Sequence, residues 1–299
     1  MKYIFAVIVT FFSAAAFAGP IFPSRVLVIA PQFREASDTT KGAAFLQQQG
    51  IWGDLFHAFN STGDRFFWSI STGGIIQFVE WEHSGIYLVG DYEMTADQHS
   101  NISFHPRGIF WTEGVIYMDK IGETELHAGY INRCHHDIDN LEHQTIGNAE
   151  ERTLIYSSIV ERAIWRNVEL AGIHSVLWTQ ADEYVFRQDY LIPDTLVQAP
   201  TDETHLIASF SGGGKFDLAC SESAHTYLRA SFTESAYRSF RTFTFDARAE
   251  FGVEFLGLGS SMDIYLGGET LHDDGTRPMP VNSNFVYLGL RFLGNNIAL

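Results

Sequence analysis

The sequence predicts an all-β protein, a single antiparallel transmembrane β-barrel of about twelve strands. Three observations carry that reading. Apolar and polar residues alternate with period two through long segments, most of them about 10–16 residues, well beyond the ~5–6 of an ordinary soluble strand. The connections between those segments are short and long by turns. Beyond the N-terminus, no segment approaches the ~20 consecutive apolar residues that a membrane-spanning helix requires.

Composition agrees with this. Aromatic residues make up 14% of the chain and charged residues only 18%. That balance suits a wall whose outer face meets lipid. The formal charge is −17, and removal of Lys2 with the N-terminal leader takes it to −18. Nucleic-acid binding begins with a basic surface, so a chain this acidic is a poor candidate for it.

At the N-terminus, Lys2 precedes an apolar core from Tyr3 to Phe12, and small residues follow to Ala16-Phe17-Ala18. This is the pattern of a secretory signal peptide over residues 1–18, which implies export through the Sec pathway. Residues 19–50 alternate little, and Pro20, Pro23 and Pro31 mark an irregular arm. The barrel is expected over residues 51–299 as one domain.

Alternation then hardly stops. Trp68, Ile70, Ile76 and Phe78 oppose Ser69, Ser71 and Gln77. Ile86, Leu88, Tyr92 and Met94 oppose Asp91 and Glu93. Leu206, Ala208, Phe210, Phe216 and Leu218 oppose Ser209, Ser211, Lys215 and Asp217. In the clearest segment, Phe243, Phe245, Ala247, Ala249, Phe251, Val253 and Phe255 oppose Thr244, Asp246, Arg248, Glu250 and Glu254.

The expected strands are 52–59, 64–81, 84–94, 108–119, 122–136, 152–166, 172–187, 204–219, 224–234, 240–257, 260–270 and 284–293. Connections after even-numbered strands are mostly short, at Glu82-His83, Lys120-Ile121, Cys220–Ser223 and Leu258-Gly259. Those after odd-numbered strands are often long, as at Thr95–Arg107 and Asp137–Glu151. Short turns on the periplasmic side, long external loops and an even strand count are the rule for bacterial barrels. Trp68, Trp81, Trp111, Trp165 and Trp178 are candidates for the aromatic girdles. The run Gly212-Gly213-Gly214 lacks a G-K-[ST] ending and lies within a strand, so it marks a kink or a close contact rather than a phosphate loop.

The last segment reads N-F-V-Y-L-G-L-R-F-L, with Val286, Leu288, Leu290 and Phe292 outward and Tyr287, Gly289 and Arg291 inward. Here the chain resembles Gram-negative outer-membrane proteins, whose closing strand alternates and ends on an aromatic. The resemblance implies insertion by the barrel-assembly machinery and contact with outer-membrane lipids and lipopolysaccharide. In this chain Leu293–Leu299 follow that aromatic, a departure from the pattern.

The densest polar cluster is N-R-C-H-H-D-I-D-N-L-E-H, residues 132–143. It follows an alternating stretch in which Leu126, Ala128 and Tyr130 face outward and Glu125 and His127 inward. Parity then turns Arg133, His135 and Asp137 inward and Asn132, Cys134 and His136 outward. This strand resembles the catalytic strand of lipid A deacylases, which carries an aromatic, a histidine and a serine at alternate positions. Tyr130 matches the aromatic, but Asn132 stands for the histidine and Cys134 for the serine. An amide cannot act as general base, so the family's pair is broken. Cys134 as nucleophile with His136 as base would be the substitute.

Two further chemistries remain open. His135, Asp137 and Asp139 alternate on one face and could hold a divalent cation at the outer rim. Otherwise Glu125, His127, Arg133 and His135 join Asp246, Arg248 and Glu250 in a polar network filling the lumen, because unpaired buried charge is costly. The first role implied is a narrow or plugged channel or a surface-structural barrel without a cofactor. The alternative is a lipid-acting acyl hydrolase at the outer rim.

The strand order also predicts two free thiols. Cys134 would lie near the outer rim and Cys220 at a periplasmic turn, too far apart for a disulfide across an apolar band about 25 Å tall.

Overall fold

The computed structural model describes residues 43, 45, 46, 48–59, 67–81, 83–98, 103–137, 151–192, 206–237, 242–272 and 282–295. The expected leader (1–18) and nearly all of the expected arm (19–50) lie outside the described residues. Twelve strands follow one another: β1 (Gln49–Phe59), β2 (Trp68–Trp81), β3 (Ser84–Asp97), β4 (His105–Ile121), β5 (Thr124–Asp137), β6 (Glu151–Leu170), β7 (Ile173–Ile192), β8 (Leu206–Cys220), β9 (Ala224–Tyr237), β10 (Thr242–Leu256), β11 (Ser260–Leu271) and β12 (Ser283–Asn295). Each pairs antiparallel with its sequence neighbours, and β1 pairs with β12 to close the barrel. Closure removes both sheet edges, as a wall in lipid must.

All twelve expected strands are present. Most boundaries move by a few residues, with β3 running on to Asp97, β9 to Tyr237 and β6 to Leu170, and two of the shifts bear on the arm and on a turn. β1 starts at Gln49, inside the expected arm. β4 runs through Lys120 and Ile121, so the turn falls at Gly122-Glu123 instead. Gly122 supplies the left-handed backbone that this tight turn needs, with φ +63°. β6 and β7 have 20 residues each. At ~3.3 Å per residue this far exceeds the apolar band, so their loop-side ends project past the lipid.

The outer face is apolar where parity says it should be. Phe245, Phe251 and Phe255 on β10, Ile264 and Leu266 on β11, and Val286, Leu288 and Leu290 on β12 are all exposed. In water so large an apolar surface would be an aggregation liability, whereas in a bilayer it is the solvated face.

A bulge overrides parity at the start of β8. A register shift between Leu206 and Ala208 turns Leu206 inward, where it is fully buried beside Tyr156, Tyr184 and Tyr237. Leu206 is therefore lumen, not wall. Trp178 is also inward, on the same face as Gln180 and Asp182, and does not belong to a girdle. Its indole lies against Gly213, where a Cβ would stand 2.8 Å from the ring. That is the close contact the triple glycine makes room for. The same device recurs where Tyr265 covers Gly289 and Tyr287 covers Gly267.

Cys134 and Cys220 are both free. β5 runs away from its short turn towards Cys134, and β8 runs down to a short turn at Cys220. The thiols therefore sit at opposite ends of the wall. Alkylation without reductant should label both, Cys220 faster because it is exposed and Cys134 is half-buried. A Cys134–Cys220 crosslinked peptide in non-reducing mass spectrometry would contradict the strand order.

Candidate functional site

The lumen holds the charged residues that the outer face excludes. The largest group lies along β9–β12 and β1. Arg291 is fully buried and serves three carboxylates. It donates to Asp54 Oδ2 at 3.0 Å, to Glu250 Oε1 at 2.9 Å and to Asp263 Oδ2 at 3.3 Å. Arg229 Nη1 donates to Glu250 Oε2 at 3.1 Å. Arg248 binds Glu250 and lies 3.6 Å from Asp54. Three guanidinium groups thus neutralise three carboxylates, which is what permits the group to be buried. Tyrosines complete it. Tyr227 donates to Asp263 Oδ2 at 3.0 Å and Tyr265 donates to Asp54. The Arg291 guanidinium stands 4.5 Å over the Tyr265 ring.

A second set lines the opposite wall. Arg133 donates to Glu93 Oε2 at 3.3 Å and Thr112 Oγ1 at 3.0 Å. Arg162 Nε donates to Gln180 Oε1 at 2.9 Å, and Gln180 donates onward to Asp182 Oδ2 at 2.8 Å. Arg166 Nη2 donates to Glu125 Oε2 at 3.0 Å, and His127 Nε2 lies 3.6 Å from the same oxygen. Arg107 Nε donates to Asp97 Oδ2 at 2.6 Å.

Each proposed lumen residue therefore points inward, but the pairing differs from the simplest expectation. Glu125, His127, Arg133 and His135 do not meet Asp246, Arg248 and Glu250 in these bonds. β5 and β10 are five strands apart around the ring, so their side chains find partners on nearby strands. Asp246 instead accepts a hydrogen bond from the His272 backbone at 2.9 Å. Parity on β12 places Arg291 inward, but nothing local shows that it is the hub of the network. Asp54 and Arg291 lie 237 positions apart and meet only because the barrel closes.

Apolar packing crosses the lumen. Phe110 on β4 joins one buried cluster with Phe56 and Ala58 on β1, Tyr227 on β9, Tyr265 and Leu271 on β11, and Phe285 and Tyr287 on β12. β4 stands three strands from β1 and five from β11. Contacts within the wall cannot link these strands, so the cluster bridges the interior.

At the end of β5 away from its short turn, Cys134 and His136 face outward as parity predicts. They share a face one pleat repeat apart, roughly 7 Å along the strand. A nucleophile and its base need contact at about 3 Å. His136 Nδ1 lies instead 3.1 Å from Thr153 Oγ1 on β6. Asn132, in the histidine position of the deacylase-like pattern, lies between Glu113 and Ser157. Its Nδ2 donates to Glu113 Oε1 at 3.4 Å, and its Oδ1 accepts from Ser157 Oγ at 3.0 Å. Of the proposed metal ligands, His135 stacks on Phe110 with ring centroids 4.3 Å apart. The Asp137 side chain and Asp139 lie outside the described residues.

A closed antiparallel wall with an apolar exterior and a charge-neutralised interior defines a membrane-spanning β-barrel of the outer-membrane type. No protein-family model and no curated protein matches the chain. Solved outer-membrane barrels do. The outer membrane phospholipase A from Escherichia coli is 10% identical, with TM-score 0.43, over 82% of this chain and 92% of that one. LpxR from Salmonella typhimurium is 8% identical, with TM-score 0.43, over 82% and 99%. The translocator domain of autotransporter NalP from Neisseria meningitidis is 9% identical, with TM-score 0.41, over 86% and 90%. Likeness of this degree transfers no activity, and the chain's own wall and lumen carry the reading that follows.

Proposed function

We propose that this protein is a plugged outer-membrane barrel, a surface-structural element without an open solute path. The observation that supports it most is the packing of the lumen. The Phe110 cluster bridges the interior, and the Arg291 network fills one side of it with neutralised charge. In this reading the partners are outer-membrane lipids and lipopolysaccharide around the wall, and the assembly machinery during insertion. The signal peptide would deliver the chain by the Sec route.

Planar-bilayer recording of the folded protein tests this. The expected result is no steady conductance above that of the lipid alone. Reproducible single-channel steps at low voltage would overturn the plug and favour a narrow channel. The hydrolase alternative has a separate readout. Mass spectrometry of lipid A and phospholipids from cells with and without the protein should show the same acylation. An acyl loss that disappears in Cys134→Ala would replace the structural reading with an enzymatic one.

A further inference from the structure

We propose that the short-turn mouth of the barrel holds a zinc-class metal site made by Asp217, Cys220 and His225. A carboxylate oxygen of Asp217, the thiol sulfur of Cys220 and a ring nitrogen of His225 all lie within 4.8 Å of one another. Tetrahedral zinc draws such donors to about 3.5 Å apart. The remaining gap is within the reach of side-chain rotation at the exposed Cys220. Mixed nitrogen, sulfur and carboxylate donors suit zinc and cobalt rather than calcium or magnesium. Three protein donors leave the fourth position to solvent.

A bulge builds the arrangement. Asp217 and Cys220 are three residues apart, so in a regular strand they would face opposite sides. The register shifts between Asp217 and Ala219, which adds one residue and returns Cys220 to the side of Asp217. Cys220 then pairs directly with His225 across the turn to β9. Bulges re-aim side chains next to functional sites more often than elsewhere.

A second observation comes from Asp217 itself. Its side chain is only 8% exposed, although it belongs to a strand end. Its Oδ1 has no hydrogen bond and only a 3.3 Å ion-pair contact with Lys215 Nζ, which also binds Glu254. Its Oδ2 lies 3.2 Å from His174 Nδ1, and His174 Nε2 lies 3.1 Å from Asn167 Oδ1. His174 and Asn167 thus form a relay that fixes the carboxylate from outside, as outer partners do at metal sites. Each carboxylate oxygen retains a lone pair for a cation.

The test uses the folded, chelator-treated protein in detergent, titrated with Co²⁺. The expected result is a near-ultraviolet thiolate-to-cobalt absorption band that Zn²⁺ abolishes. The band should be absent in Cys220→Ser and His225→Ala, and retained in Cys134→Ser. His174→Ala should weaken binding by roughly 10–100-fold. Heat-dependent gel mobility reports whether each variant is folded. A measurement on the unaltered protein guards against misfolded variants: Zn²⁺ should slow alkylation of Cys220 and leave that of Cys134 unchanged. Absence of both the band and the protection would overturn the site, as would a band that survives Cys220→Ser. Equal protection of both thiols would also overturn it.

Discussion

Replacing Arg291 with methionine is expected to destabilise the folded barrel by about 3–5 kcal/mol. The side chain is fully buried and is shared by Asp54, Glu250 and Asp263. Methionine approximates the volume but leaves one positive charge too few among three buried carboxylates. The cost is the desolvation of charge that nothing then offsets, and it exceeds the worth of any single hydrogen bond. Urea unfolding of the barrel in detergent, followed by tryptophan fluorescence, measures it. Adding Glu250→Gln to Arg291→Met should recover part of the loss, because the two residues are directly coupled at 2.9 Å. A loss below about 1 kcal/mol would mean that water reaches the network and that the lumen is not sealed there.

The second large effect is on the outer face. Ala249→Arg should cost about 2–4 kcal/mol if Ala249 lies near mid-membrane, while Ala249→Leu should be neutral or favourable. Ala249 is exposed on β10 between Ala247 and Phe251, in the apolar belt. A protein of soluble habit would show the reverse order, since arginine is harmless in water and leucine is not helpful. Refolding yield into lipid vesicles, read from heat-dependent gel mobility, ranks the two variants. The neighbouring inward position makes a poor control. A Cβ at Gly252 would fall 2.8 Å from the Tyr227 ring, so a large residue there fails for steric reasons and not for want of polarity.

Much of the architecture was legible because a strand has a two-residue period. On β10 the parity of Phe243–Phe255 separates wall from lumen without any tertiary knowledge. Strand count and turn positions follow from where that parity lapses. Register is another matter. Which inward residues meet depends on how each strand slides on the next, and closure brings β1 against β12 from opposite ends of the chain. The Asp54–Arg291 contact has no local signature for that reason. Bulges are illegible too, because one extra residue reverses parity without altering composition. Sequence parity puts Leu206 on the wall, and it sets Cys220 on the opposite face from Asp217, which the bulge reverses. The 132–143 cluster stands out in the sequence by density alone, while its inward members Arg133 and His135 are buried beside Glu93 and Phe110. The glycine–aromatic pairs carry a faint signal, since inward Gly213, Gly267 and Gly289 directly face inward Trp178, Tyr287 and Tyr265 on the adjoining strand.

Nitroxide labels along β9 test the central claim of a sealed barrel in lipid most directly. Single labels would replace outward Leu228, Ala230 and Phe232, and inward Ser231, Thr233 and Ser235, in a Cys134→Ser, Cys220→Ser background reconstituted in vesicles. Collision with dissolved oxygen and with a water-soluble nickel chelate is then measured at each position. A sealed wall in lipid predicts outward labels open to oxygen and closed to nickel, and inward labels closed to both. Nickel reaching the inward labels would show an open lumen, and nickel reaching the outward labels would show that this face is in water.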